Sequence, residues 1–167
     1  MNWTTLAAAF TGGISGGGLG SLVSYMQLRT NRQAGARSQQ WQDAGLIADL
    51  WDLLAAIQPE RRGMNLSPDL AEEGQKSAVL DERQQQVGKE LMRLAAGHPA
   101  GEVRHIARPL SSALARAASA SEWHVRDLRT SSSHDLQDSL ARAQSAHAEA
   151  VDLAQQLERA VKDAGSR

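Results

Sequence analysis

The sequence contains no cysteine among its 167 residues. This absence excludes disulfide bonds, thiol catalysis and zinc–thiolate sites from the chain. Aromatic residues make up only 4% of it, so a folded core must be built mainly from leucine, alanine, valine and isoleucine. The formal net charge is −1, and so small a charge gives no reason to expect a nucleic-acid partner.

Charged residues are also missing from the first 28 positions, where no Asp, Glu, Lys or Arg occurs. A helix that spans a bilayer needs about 20 uncharged, mainly apolar residues. Trp3 and Tyr25 lie near the two ends of this run, as expected for side chains at the membrane interfaces. We therefore predict that residues 1–28 form a single glycine-rich transmembrane helix.

The residues argue against two other interpretations of the glycines in this run. A phosphate-binding loop of the Walker type needs Lys and Ser/Thr directly after its glycines, whereas Ser21 and Leu22 follow here. The second interpretation is a solvated flexible tail, which the cost of glycine in a helix, about 1 kcal/mol each relative to alanine, would favour. Such a tail, however, rarely lacks charge while it carries this many large apolar residues.

Arginine follows the uncharged run at once, in a basic juxtamembrane segment that we place at residues 29–40. Arg29, Arg32 and Arg37 all precede the first acidic residue. Positive charge beside a membrane helix marks its cytoplasmic side. We therefore expect a single-pass protein of the cell membrane, with its N-terminus outside and its C-terminal part in the cytoplasm. The same three side chains are placed to contact anionic lipid headgroups.

One side of the predicted membrane helix consists mainly of small residues, several of them at i, i+4 spacing. Such a ridge lets two helix backbones approach closely in lipid and gain dispersion contact. The candidate self-association residues are Ala9, Gly12, Gly13, Gly16, Gly20 and Ser24. We therefore expect the chain to form a homo-oligomer through this face, whereas Ile14 and Leu19 lie on the opposite side of the helix.

Helical periodicity recurs throughout the rest of the sequence, and no stretch alternates apolar and polar residues as a half-buried strand would. The periods predict four helices, at Ser38–Ile57, Pro68–Ala96, Gly101–Thr130 and His134–Ala164. The fold class that we predict is therefore all-α. It has a single N-terminal transmembrane helix followed by an antiparallel bundle of about four helices, which forms a cytoplasmic domain at 41–167.

The junctions and interiors of these helices carry more specific predictions. The stretch QPERRGMNLSPD is expected to be a loop that exposes Arg61 and Arg62 to lipid or solvent, with Ser67 as the N-cap of the second helix. The first half of that helix, AEEGQKSAV, has few apolar residues and is expected to fray. Pro109 removes a backbone hydrogen bond from the third helix, so we expect a kink or split near His105–Arg108.

The last predicted helix has apolar or small residues at alternating steps of four and three, which is a heptad pattern. The residues that we single out in this helix–helix seam are Leu136, Leu140, His147, Leu157 and Val161. A seam of this kind packs either inside a bundle or against another chain. We favour the bundle, because the other three helices also need a covering partner.

Catalytic and metal-binding patterns are almost absent from the sequence. Glu102 and His105 form one Glu-x-x-His pair, whereas di-iron bundles need two such pairs and two further glutamates. No serine lies in a nucleophile motif. We therefore expect no enzyme activity, catalytic residue, metal, cofactor or small-molecule substrate. His147 is open to two interpretations, a hydrogen-bonded core or boundary residue or a pH-sensitive contact.

These patterns favour a membrane-anchored helical interaction or scaffold protein. Its expected partners are membrane lipids, copies of itself and an unidentified protein. An alternative is a pore-forming or membrane-perturbing oligomer, in which several glycine-rich helices surround a lumen. A second alternative is a soluble helical assembly protein whose glycine-rich N-terminal tail inserts into a neighbouring subunit.

Overall fold

The structure is a computed structural model, and it describes residues 18–130 and 133–166, with side chains over 38–130 and 135–166. These residues form five helices and no strand. The helices are α1 (Gly18–Ile57), α2 (Pro59–Met64), α3 (Leu70–Gly97), α4 (Gly101–Thr130) and α5 (Ser133–Gly165). The all-α prediction is confirmed for this part of the chain.

The chain divides into two compact units, Met1–Gln39 and Gln40–Arg167. Most of the transmembrane helix predicted at 1–28 lies in residues 1–17, outside the described residues. From Gly18 onward, no described helix is both long enough and apolar enough to cross a membrane. The prediction of a membrane helix is therefore neither confirmed nor contradicted for residues 1–17.

The second unit is a helical bundle in which α1, from Gln40 onward, runs antiparallel to α3. Asp52 of α1 contacts Arg83 of α3, and Asp43 of α1 contacts His98 just after α3. Residue numbers thus rise along one helix as they fall along the other. The α3–α4 and α4–α5 pairs also pack side by side through short connections, so the helices of each of these pairs are antiparallel. The predicted antiparallel bundle is confirmed.

One hydrophobic core joins the four long helices of this bundle. Its largest fully buried apolar side chains are Leu50, Leu53, Leu54, Ile57, Leu91, Leu94, Val103, Leu110, Leu114 and Leu157. Burial of each such side chain stabilises the fold by about 1.5–3 kcal/mol. The core is aliphatic, as the low aromatic content predicts.

The predicted seam of α5 packs within the bundle. Leu157 is fully buried, whereas Leu136, Leu140, His147 and Val161 are half-buried. The other fully buried positions of α5 are alanines, at 143, 150 and 154. Because the buried positions are already covered within one chain, the seam needs no second chain to bury it.

The stretch predicted as a loop contains a short helix instead. Helix α2 begins at Pro59, whose fixed φ and missing amide hydrogen suit the first helical position. Pro59 is buried, and α2 packs against α4 and α5 at one end of the bundle. Six residues are too few to show a helical period, so tertiary contact rather than pattern decides this element.

Helix α3 begins two residues later than predicted, and its N-cap is Asp69 rather than Ser67. The Asp69 carboxylate accepts a hydrogen bond from the Ala71 amide at 2.9 Å. Ser67 organises the preceding turn, because its hydroxyl accepts from the Asp69 amide at 3.2 Å and donates to Glu72 at 2.6 Å. The half of α3 that we expect to fray is helical from Leu70 onward.

Of the kink or split predicted at Pro109, the split does not occur, because α4 continues unbroken from Gly101 to Thr130. Pro109 and His105 are both exposed. The His105 carbonyl, which lacks its usual amide donor at position 109, therefore lies on the solvent side of the helix. Water can satisfy that carbonyl, so the helix continues.

Candidate functional site

The buried histidine His98 fastens the α3–α4 turn to α1. The Ala100 amide donates to His98 Nδ1 at 3.1 Å, so the ring proton is on Nε2, which donates to Asp43 Oδ2 at 3.1 Å. The two side chains are only 3% and 4% exposed. Both ring nitrogens are occupied, so this histidine has no nitrogen left for a substrate proton.

His124 joins α4 to α5 in a second buried contact. Its Nδ1 lies 2.9 Å from Ser139 Oγ, and that hydroxyl also donates to the Leu136 carbonyl at 3.2 Å. Ser121, one turn before His124, is fully buried, and its hydroxyl has no hydrogen-bond partner in the described structure. The pair links α4 to α5, and Ser139 also lines a groove between these two helices.

His147, the polar member of the predicted seam, donates from Nε2 to the Leu54 carbonyl at 2.9 Å. Leu54 belongs to the last turn of α1, where helix carbonyls lack intrahelical donors. Pro59, which has no amide hydrogen, worsens that shortage just beyond the helix end. The contact supports the first interpretation of His147, a hydrogen-bonded residue at the core boundary.

The Glu102–His105 pair lies on the outside of α4, where both residues are exposed. Within residues 38–130 and 135–166, whose side chains the structure describes, no three histidine, aspartate or glutamate side chains are grouped so that they could hold a metal ion. The pair therefore has no further ligand beside it in that part of the chain.

The predicted membrane residues stay predictions. Ala9, Gly12, Gly13 and Gly16 lie outside the described residues. The backbone at 20, 24, 29, 32 and 37 belongs to α1, but the side chains there are not among those that the structure describes.

The candidate site is a groove between the end of α1, helix α2 and the first half of α3, which we call the α1–α3 groove. Its volume is about 610 Å³. Ala55 and Ala56 of α1 and Val79 and Leu80 of α3 provide its apolar surface. Val79 is 64% exposed although it is a large apolar residue. Exposed apolar surface inside a concave site is typical of a binding surface.

Two ion pairs lie among the residues that line the α1–α3 groove. Arg83 contacts Asp52 at 3.2 Å and so joins α3 to α1. Lys76 contacts Glu72 at 2.9 Å along α3. A hydrogen bond from the Ser67 hydroxyl, followed by the nearby Lys76, lowers the pKa of Glu72. These pairs form a charged rim around the apolar surface.

A third pair, at the α2 end of the groove, is largely buried. Arg62 lies 3.9 Å from Glu73 and donates to Ser77 Oγ at 3.3 Å. The neighbouring Arg61 is exposed, and its guanidinium contacts no acceptor or acidic group among the described residues. Of the cations on the rim, Arg61 is therefore the one that keeps its charge uncompensated.

A second groove lies between α4 and α5, with a volume of about 790 Å³. Its largest apolar side chain is Trp123, whose ring is stacked by Arg126 at 5.0 Å. Arg116 pairs with Glu149 at 2.7 Å, and Arg142 donates to a backbone carbonyl of its own helix. Its cations thus already have partners, so the α1–α3 groove is the better candidate.

Comparisons of the chain with models of known protein families, with characterised proteins and with solved structures find no match. The sequence pointed to Arg61 and Arg62 only as lipid or solvent contacts, and it gave a single sign of the α1–α3 groove. The one signal that it offered was Val79, a large apolar residue in the polar half of α3.

Proposed function

We propose that the chain is a membrane-anchored helical interaction protein, in which an N-terminal helix holds a cytoplasmic bundle that binds a protein partner. The observation that carries the proposal is a contrast between the buried polar groups of the bundle, which hold its helices together, and an apolar groove that stays uncovered. Among the described side chains, the three histidines in its interior or at its boundary all make structural hydrogen bonds. The apolar surface of the α1–α3 groove, by contrast, is left uncovered.

The membrane part of the proposal depends on sequence alone. The uncharged run at 1–28 is long enough to span a bilayer, and Arg29, Arg32 and Arg37 follow it on one side. Its small residues support close helix–helix contact, and therefore self-association in the membrane. Tethering raises the local concentration of the bundle, so a weak contact with a partner on the same membrane is sufficient.

Carbonate extraction of membranes that contain the full chain tests the anchor. A chain with a spanning helix stays in the pellet, and a chain that washes off contradicts the proposal and favours the soluble assembly protein. Dye release from vesicles tests the pore alternative with the same purified protein. Dose-dependent release contradicts the proposal in favour of a pore.

Cross-linking in membranes tests self-association through the small-residue face. Gly16→Leu places a large side chain on that face and should abolish the cross-linked species. Ile14→Leu, on the opposite side, is the matched control and should leave it unchanged. Equal cross-linking of both variants contradicts self-association through this face.

A further inference from the structure

We infer that the α1–α3 groove binds one short amphipathic helix of a partner protein and that this helix carries acidic side chains. The inference rests on the proposed function and deepens it, because it names the class of partner that the bundle recognises. The shape, the apolar surface and the charge of the groove each fit such a helix.

The shape of the groove fits a helix. Its α3 wall extends from Glu72 to Arg83, which at about 1.5 Å per residue is a length of roughly 16 Å, or three helical turns. Apart from Asn65, the residues that line the groove belong to helices, so an extended peptide would find no strand edge there to pair with. A helix instead satisfies its own backbone and needs only side-chain contacts.

The apolar surface of the groove fits the apolar face of such a helix. Val79 projects into the groove and is the large side chain on which a partner residue can pack. Ala55 and Ala56 on the α1 wall are small, so a partner backbone can approach this wall closely. A face with apolar residues at i, i+3 or i+4, and i+7 would contact both walls.

The charge of the groove selects an acidic partner. Each of the acids on its rim already faces a cation, at Asp52–Arg83, Glu72–Lys76 and Glu73–Arg62. Arg61 remains as the uncompensated charge at the α2 end. A carboxylate on the partner helix would compensate it, whereas a basic helix would bring like charges together.

A pair of synthetic peptides tests the inference on the full chain in lipid nanodiscs. Both are fluorescein-labelled helix formers with leucine at i, i+4 and i+7, and they differ only in carrying either glutamate or lysine on the flanking positions. We expect the glutamate peptide to bind about tenfold more tightly than the lysine peptide, by fluorescence anisotropy. Equal affinities, or no binding of the glutamate peptide, would overturn the inference.

Three variants place the binding on the groove. Arg61→Glu should remove the preference for the glutamate peptide, and Val79→Asp should weaken both peptides by about tenfold or more. Both positions are exposed, so neither change disturbs the core. Met92→Asp, also on an exposed part of α3 but outside the groove, is the control. If it weakens binding as much as Val79→Asp does, the groove is not the site.

Oleate is the competing probe, because it also combines an apolar chain with a carboxylate. Binding of oleate at the groove without binding of the glutamate peptide overturns the inference in favour of a lipid ligand. The experiments distinguish a failure of the proposed membrane anchor from a failure of the proposed peptide binding. A chain that washes off in carbonate but still discriminates between the peptides contradicts only the anchor, and a chain that stays but does not discriminate contradicts only the inference.

Discussion

Burial rather than distance should decide how much each ion or hydrogen-bonded pair of the bundle stabilises it. The His98–Asp43 contact is 3.1 Å long, with side chains 3% and 4% exposed. The Arg116–Glu149 contact is shorter, at 2.7 Å, but its side chains are 54% and 52% exposed. The longer of these two contacts is the one that we expect to be stronger.

The expected change in the free energy of unfolding depends on which buried polar atoms each substitution leaves without a hydrogen-bond partner. Asp43→Ala leaves the buried His98 Nε2 hydrogen without an acceptor. His98→Ala removes the contact with Asp43 and, in addition, the acceptor of the Ala100 amide. Each single substitution should lower the free energy of unfolding by about 3 kcal/mol, and the coupling between the two should be about 1.5–3 kcal/mol. For Arg116 and Glu149 the coupling should be below about 1 kcal/mol, because water and salt screen exposed charges.

Two double-mutant cycles measure these couplings. The variants are the two single alanine substitutions and the double substitution for each pair, in the full chain kept soluble by a mild detergent. Urea unfolding followed by far-ultraviolet circular dichroism gives the free energy of unfolding of each. If the exposed pair couples as strongly as the buried pair, or the buried pair couples by less than about 0.5 kcal/mol, the argument from burial is wrong.

Three further predictions concern stability and use the same unfolding assay. Leu157→Ala should lower the free energy of unfolding by about 2–5 kcal/mol, because Leu157 is fully buried, whereas Met92→Ala at an exposed site should change it by about 0.5 kcal/mol or less. Pro109→Ala should raise it by about 1–3 kcal/mol, because it restores a hydrogen bond inside α4, and no gain would mean that the site needs proline. Hydrogen bonds from Lys162 first and then from Trp51 lower the pKa of Glu158 in the folded state. These bonds therefore contribute to the free energy of unfolding above the ordinary glutamate pKa of about 4.3, and the contribution is lost as the pH falls through the lowered pKa. Glu158→Gln should therefore flatten the loss of stability below about pH 4.3, and an unchanged acid slope would count against this assignment.

The helices that the sequence predicts well are those with local start and stop signals. Helix α1 ends at Ile57, as predicted, because Pro59 cannot continue it, but it begins at Gly18 rather than at Ser38. Helix α3 ends at Gly97, one residue beyond the predicted end and just before His98-Pro99. These signals act on the backbone within a few residues, so one sequence is enough to read them.

The elements that the sequence misses depend on contacts between distant segments. Helix α2 has only six residues, and its packing on α4 and α5 cannot be inferred from its own pattern. The seam of α5 shows the same limit, because its large residues Leu136 and Leu140 are half-buried while alanines occupy most of its fully buried positions. Which positions of a seam are covered depends on how closely the neighbouring helices approach, and that is a property of the whole bundle.

The polar half of α3 shows why the sequence did not predict the candidate site either. Its few apolar residues predict fraying, because a helix of this kind buries little apolar surface. Instead the Asp69 cap, the Ser67–Glu72 hydrogen bond and the Arg62–Glu73 pair hold this half in place. Polar contacts with the preceding segment thus replace the missing apolar ones.

The rim of the α1–α3 groove therefore has two roles, to border the apolar surface and to hold the groove together. The Arg62–Glu73 pair lies on this rim and also holds the α3 wall against α2. Substitution of either of these residues would loosen the wall and weaken binding for a structural reason. Arg61 takes part in none of these contacts. A charge reversal there changes what the groove attracts without removing a bond that shapes it, and for that reason Arg61 separates recognition from folding more cleanly than Arg62 does.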